Sequence, residues 1–183
     1  MTPTRSSRRL LYPCVTALAL LLGCSSVSIQ ATRNPKYPGA ILLPVAVVIF
    51  EGNTGPDYTL PLKGYLLREF QKRRMKLHVE VITGAEFNED EVIGGLAQAA
   101  NGLILIIPGG GTSYGGSLTQ ILYDVRVLLI TKRPEVEVAT VWRAKVDTTS
   151  GAYDFQIDAR IEKFAEDLVR ALINDRVVAR PTK

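Results

Sequence analysis

Two stretches of this chain are apolar on both of the faces a strand would present, so whatever fold they enter must cover them on both sides. Residues 41–50 read Ile-Leu-Leu-Pro-Val-Ala-Val-Val-Ile-Phe, and residues 103–107 read Leu-Ile-Leu-Ile-Ile. Each is β-branched, short and bounded by glycine, which marks a strand buried in the middle of a sheet. The first is expected to start near Pro44, because proline has no N–H to give to a central ladder. Neither run approaches the 18 or more apolar residues of a membrane-spanning helix.

The segments around these strands supply the cover. Residues 51–59 form a loop with Gly52, Gly55 and Pro56, and Thr59 is a candidate N-cap for a helix carrying Leu62, Tyr65, Leu66 and Phe70 on one face, with Pro61 in its first turn. Lys72, Arg73, Arg74 and Lys76 at its end suit the negative pole of a helix, with anionic headgroups as the other use for them. Residues 77–83 alternate as a second strand, and residues 88–100 read as a second helix with an acidic start and a weak point at Gly94-Gly95. Residues 118–131 and 135–147 alternate as two long strands joined by a turn at 132–134. Asp158 opens a last helix with Ile161, Phe164, Ala165, Leu168 and Leu172 on one stripe. The expected fold is α/β (α+β), in the order β-α-β-α-β-β-β-α. Its mixed sheet has about five strands with helices packed on it, the first three strands in right-handed parallel crossovers and the last two in an antiparallel ribbon.

The N-terminal part has another logic. Arg5, Arg8 and Arg9 precede a mostly apolar run over residues 10–22, the pattern of a signal peptide rather than of a spanning helix. The run ends in Leu21, Leu22, Gly23 and Cys24, which resembles the bacterial lipobox. That resemblance implies acylation of the Cys24 thiol and cleavage before it, and Ser25 in the next position implies the outer membrane as destination. The expected organisation is a signal peptide over 1–23, a flexible tether over 24–39 that is polar and punctuated by Pro35 and Pro38, one globular domain over 40–179, and a tail over 180–183.

Charge and composition narrow the function. The formal charge is +4, but three of the arginines belong to the leader, so from Cys24 onward the balance is about +1, too little surplus for a general nucleic-acid binder. The only cysteines are Cys14 and Cys24, and the only histidine is His78. The domain therefore has no disulfide, no thiolate metal site and no second histidine for a catalytic triad. No catalytic residue, metal ligand or cofactor is expected.

One segment invites a ligand. Gly109, Gly110, Gly111, Thr112, Ser113, Tyr114, Gly115 and Gly116 follow the second apolar strand. A phosphate cradle needs a helix starting where the glycines end, and neither Gly-Lys-Ser/Thr nor Gly-x-Gly-x-x-Gly context is present. A hairpin connection whose glycines supply backbone freedom is the expected role, with a ligand- or nucleotide-binding loop as the alternative.

The lipobox, the strand-helix-strand opening, the glycine-rich loop, Val141-Trp142-Arg143-Ala144 in a strand and a closing helix reaching Asp175-Arg176-Val177-Val178 together resemble small bacterial outer-membrane lipoproteins of unknown function. Their domain is similar in fold to the N-terminal domain of TolB. The resemblance implies an envelope lipoprotein that is not an enzyme, lipid-anchored through Cys24 and facing the periplasm, acting as a binding or assembly component. Its implied partners are the membrane and another envelope protein, with a homo-oligomer compatible with the same role.

Overall fold

A computed structural model describes residues 26–41, 43–83, 88–114, 117–132, 136–149 and 157–179. Leu21, Leu22, Gly23, Cys24, Gly115, Gly116 and the 180–183 tail lie outside them. The elements are β1 (Ser26–Arg33), β2 (Val45–Phe50), α1 (Pro56–Lys72), β3 (His78–Ile82), α2 (Glu89–Ala97), β4 (Gly102–Tyr114), β5 (Ser117–Thr131), β6 (Glu137–Thr149) and α3 (Ile157–Asn174). They build a six-stranded mixed sheet in the order β1-β6-β5-β4-β2-β3, with three helices against it.

The apolar runs lie where their composition demands. β2 is buried at every residue and lies parallel between β3 and β4. The chain leaves β2 for β3 on one side and returns from β3 to β4 on the other. Right-handed crossovers made in opposite directions put their helices on opposite faces. Accordingly α1 joins the core with Val47, Ile49, Ile104 and Ile106, whereas Ala97 and Ala100, at and just beyond the end of α2, join Val48, Phe50, Leu103 and Leu105. Helix α3 shares the first face with α1, burying Phe164, Leu168 and Leu172 beside Leu62, Leu66 and Phe70. Arg68 and Glu162 pair across the two helices.

Helix α1 begins at Pro56 rather than at the expected Thr59, so Pro61 sits inside it. Pro56 is well suited to a first helical position and Asp57 to the positive pole that follows. Helices α1 and α3 end alike. Met75 N–H reaches back to Phe70 O at 3.0 Å and Val177 N–H to Leu172 O at 2.8 Å. Arg74 (φ 57°) and Arg176 (φ 54°) occupy the left-handed position between helix and buried apolar residue.

The tether is corrected. Residues 26–33 form β1, antiparallel to β6 from the Ser26–Thr149 pair to the Arg33–Trp142 pair. Val27 and Ile29 alternate with Ser26, Ser28 and Gln30 and pack against the core. Arg33 then fastens the following turn, donating to the carbonyls of Pro38 at 2.7 Å and Gly39 at 2.8 Å and to that of Asp175.

The sheet has two distinct ends. β1 starts, β2 and β4 finish, and α1 and α3 begin at the Ser26 end; β1 finishes and both helices terminate at the Arg33 end. Lys72, Arg73, Arg74 and Lys76 thus stand at the Arg33 end.

Candidate functional site

Among the described residues the glycine-rich segment is strand. Gly109 to Tyr114 continue β4 against β5, with register shifts between Pro108 and Gly110 and between Thr112 and Ser113, and the last pair is Tyr114 with Ser117. Gly110 has φ 137°, a conformation that favours glycine, at the first of those shifts. The hairpin of β4 and β5 is as expected, but the expected loop is corrected: Gly109, Gly110 and Gly111 are strand residues of its exposed part.

Where β4 leaves β2 lies a cavity of about 490 Å³, lined by Gly52, Asn53, Thr54 and by residues 108–111. It opens at the carboxyl end of β2, where the β2–β4 ladder finishes at the Ile49–Ile106 pair, and the connections that leave the two strands run to opposite sides of the sheet, as at sites where open α/β sheets hold ligands. The two walls are close, since a Cβ on Gly52 would come within 2.7 Å of Pro108 Cγ. Gly52 also has φ 51°. Some of the donors nearby are committed. Pro56 has no N–H, the Tyr58 and Thr59 amides both reach Gly55 O at 3.3 Å, and the Thr54 hydroxyl donates to Glu51 O at 2.6 Å.

Behind this cavity, Arg160 is 2% exposed. Its guanidinium lies 5.7 Å from the centre of the Tyr58 ring and donates to Tyr58 Oη at 3.3 Å and to Thr119 O at 3.4 Å. Tyr123 stacks on Phe164 with centroids 4.7 Å apart, and burial pushes its phenol well above the ordinary range despite the nearby Arg160 charge. This phenol stays protonated and is no general base.

Among the described residues no helix packs on the second face over β6 and β1, and polar side chains gather there. A shallow cavity of about 330 Å³ is bordered by Ser28, Gln30, Asp124, Arg143, Lys145 and Asp147. Arg126 and Arg143 are directly opposite each other across the β5–β6 ladder, an unfavourable juxtaposition of like charges. Asp124 resolves it, accepting from Arg126 Nε at 2.9 Å and from Arg143 Nε and Nη2, each at 2.8 Å. Burial raises the Asp124 pKa, but the hydrogen bonds from Arg143 and Arg126 outweigh it and hold the carboxyl below its usual range. A carboxyl lowered on folding stabilises the protein above its unfolded pKa, and that stability is lost as pH falls through the folded value. Asp124→Asn is therefore expected to cost about 1 kcal/mol at pH 7, the pair being partly exposed. Urea titrations of both proteins should show the gap closing as pH drops below the ordinary carboxylate range; a gap independent of pH would reject the ion-pair account.

Glu69 is a buried carboxylate elsewhere, on α1, held by Lys72 at 2.5 Å and Arg73 at 2.8 Å. Burial raises its pKa and those two partners more than reverse the effect. Charged neighbours on its own helix explain it, with no substrate-facing role. His78 is exposed at the start of β3, 3.8 Å from Glu80. Among the described residues no three of His, Cys, Asp and Glu come together as a metal site, and no helix is long and apolar enough to cross a membrane.

Sequence reasoning did not single out Arg160 or the cavity beside Gly52. The alternation did place Asp124 and Arg126 on one strand face, able to pair with Glu137, Arg143 or Lys145 of the next strand, and the structure selects Arg143.

No family model matches the chain, and no curated protein sequence matches it. Solved structures do resemble it. A variant PelC dodecamer from Paraburkholderia phytofirmans superposes with a TM-score of 0.50 at 16% identity, over 85% of this chain and 100% of that one. A second PelC dodecamer from the same organism gives 0.45 at 14% identity, over 84% and 99%. A minor lipoprotein from Acinetobacter baumannii gives 0.30 at 15% identity, over 75% and 96%. What this chain shares with the first of them is the fold.

Proposed function

We propose that this protein is a membrane-anchored envelope lipoprotein without enzymatic activity, a binding or assembly component held at the periplasmic side of an outer membrane. The observation that carries the reading is Leu21-Leu22-Gly23-Cys24 standing directly ahead of the folded domain. Several acyl chains on one cysteine make an effectively permanent anchor, and no described helix offers another way into the bilayer. The ionisable groups of the domain support a binding role, because Asp124 and Glu69 are spent on neighbouring cations and His78 lies apart from both cavities. The similarity to the N-terminal domain of TolB belongs to the same proposal.

Self-association is part of this reading. Leu60 and Leu67, seven residues apart on α1, are 59% and 38% exposed, a helical stripe left without cover. The similarly folded PelC forms a dodecamer. The acylated protein, purified in mild detergent, should have a native mass that is a multiple of its monomer, or crosslink in cells to one defined envelope protein. A monomer in detergent that also yields no specific crosslink would reject the assembly role. The alternative is a ligand or nucleotide in the cavity beside Gly52 and Gly109. It predicts a stability gain of about 2.7 kcal/mol for a nucleotide or glycan fragment at a hundredfold excess over its dissociation constant.

A further inference from the structure

Helix α1 turns one seam outward. At about 100° per residue, Leu60, Gly64, Leu67 and Gln71 fall along one line of the helix, spaced four and three apart as in the contact line of paired helices. Among the described residues, Leu60 and Leu67 are the large hydrophobics exposed on a helix. A Cβ placed on Gly64 would meet nothing within 4 Å, so the seam is open between the two leucines. Lys63 borders it on one side and Arg68, beside Glu162 of its own chain, on the other.

This seam does not suit a copy of itself. In a parallel pair of α1 helices, Lys63 of one copy meets Arg68 of the other, five positions on; in an antiparallel pair, each cation meets its own counterpart. Antiparallel pairing also points the two Ser26 ends in opposite directions. Cys24 lies two residues ahead of Ser26, and one leaflet could not receive both anchors. The occupant the seam calls for carries acids beside a surface smooth enough to seat leucine.

Helix α2 has both. Asp90 and Glu91 are exposed in its first turn, and no Lys, Arg or His occurs from Asn88 to Asn101. Gly94 and Gly95 follow, exposed, with open space where a Cβ would stand. This pair weakens α2 as a helix but leaves a smooth patch on it. The acids of α3 are already engaged, Glu166 and Asp167 with Lys163 and Arg170 and Glu162 with Arg68. Helices α1 and α2 lie on opposite faces of the sheet and run the same way. α1 begins at the Ser26 end, and just past α2 the Asn101 N–H reaches Pro44 O at 2.7 Å, where β2 starts at the Arg33 end. Copies stacked face to face therefore bring α1 of one alongside α2 of the next, with every Cys24 on the same side.

We infer that the Leu60–Leu67 seam of α1 docks on α2 of a second copy of this chain. The leucines seat on Gly94 and Gly95, and Lys63 and Arg68 face Asp90 and Glu91. The inference rests on the self-association and anchor proposed above. Because the two surfaces differ, the contact is head-to-tail and can continue from copy to copy into a ring or a row along one leaflet.

The test uses the acylated full-length protein in mild detergent, with native mass read by analytical ultracentrifugation. Leu60→Asp with Leu67→Asp removes the seam, and Gly95→Arg blocks the seat. Position 95 has room for a side chain, and circular dichroism checks that both variants are folded. Each alone should be a monomer. An equimolar mixture should give dimers and nothing larger, since one variant still offers α2 and the other α1. As a second measurement, Lys63→Glu and Glu91→Lys should each weaken self-association severalfold, and the two together in one chain should recover most of the loss. Gly95→Arg at the wild-type mass, or a mixture that stays monomeric, would overturn the inference while leaving self-association standing. Wild-type protein that is itself a monomer would overturn the self-association reading and this inference with it.

Discussion

Replacing Cys24 with serine is expected to move the entire protein from the membrane fraction to the soluble fraction while leaving the domain folded. Each methylene of an acyl chain buried in lipid contributes about 0.8 kcal/mol, so one chain binds reversibly and several on one residue do not let go. Serine has the size of cysteine but no thiol to carry the chain, so the change removes the attachment and little else. Position makes the experiment clean. Cys24 precedes the first ladder pair, Ser26 with Thr149. The thermal midpoint of the released protein should match that of wild type extracted in detergent. Fractionation with an acyl-chain analogue reads the outcome directly: label on the Cys24→Ser variant, or a variant that still sediments with membranes, would refute lipidation at this residue.

How well the sequence foretold the fold depended on how much apolar surface each segment buries. β2, β4 and α3 were legible because nearly every inward residue is large and apolar, and a period of two or of 3.6 is then hard to mistake. β1 was read as a tether because an edge strand needs cover on only one face. Its alternation of Val27, Ile29 and Ala31 with serine and glutamine is present but weak, and only its pairing with β6 turns it into a strand. The glycine-rich segment failed for the opposite reason. Glycine lowers strand propensity, yet a partner strand that pairs as far as Ser117 overrides local preference. The N-cap of α1 is Gly55 rather than Thr59 because Thr59 is a good cap only in isolation; in the fold it is buried inside the helix, its hydroxyl donating to Gly55 O at 3.3 Å.

The candidate sites were less legible still, since they are made by neighbours far apart in sequence. Asp124 and Arg143 meet only because β5 and β6 pair in one register, and a shift of one residue would send the two side chains to opposite faces. The cavity beside Gly52 exists because the loop after β2 passes Pro108 at a distance that excludes any side chain. The alternation offered Arg143 as one of three partners for Asp124 without choosing the register, and the second closeness has no local sequence signal. Cys24 is the reverse case, a proposed site that rests wholly on its neighbours in sequence.

The largest loss of stability is expected from Trp142→Ala. Trp142 is 1% exposed on β6 and shares one core cluster with Leu168, Val169 and Leu172 of α3, so it couples the sheet to the last helix. Its indole N–H donates to Asp175 Oδ2 at 2.7 Å, and the Asp175 carbonyl in turn receives Arg33. The neighbouring Val141 is also buried, because the β5–β6 register shifts between Val127 and Leu128 and lets two consecutive residues face inward. The backbone is therefore committed to this site and cannot easily close a void. Removing the ring should cost about 3 to 5 kcal/mol, out of a total of roughly 5 to 15 for a domain of this kind. Trp142→Phe keeps most of the apolar contact and gives up the hydrogen bond, and Asp175 is exposed enough for water to replace the donor. Its cost should be nearer 1 kcal/mol beyond the lost contact area. Urea unfolding followed by circular dichroism measures both without relying on the missing indole. An Ala variant within 1 kcal/mol of wild type would mean that α3 is not held to the sheet through this residue. If Trp142→Phe and Asp175→Ala together cost the sum of their separate losses, the indole–carboxylate bond contributes nothing of its own.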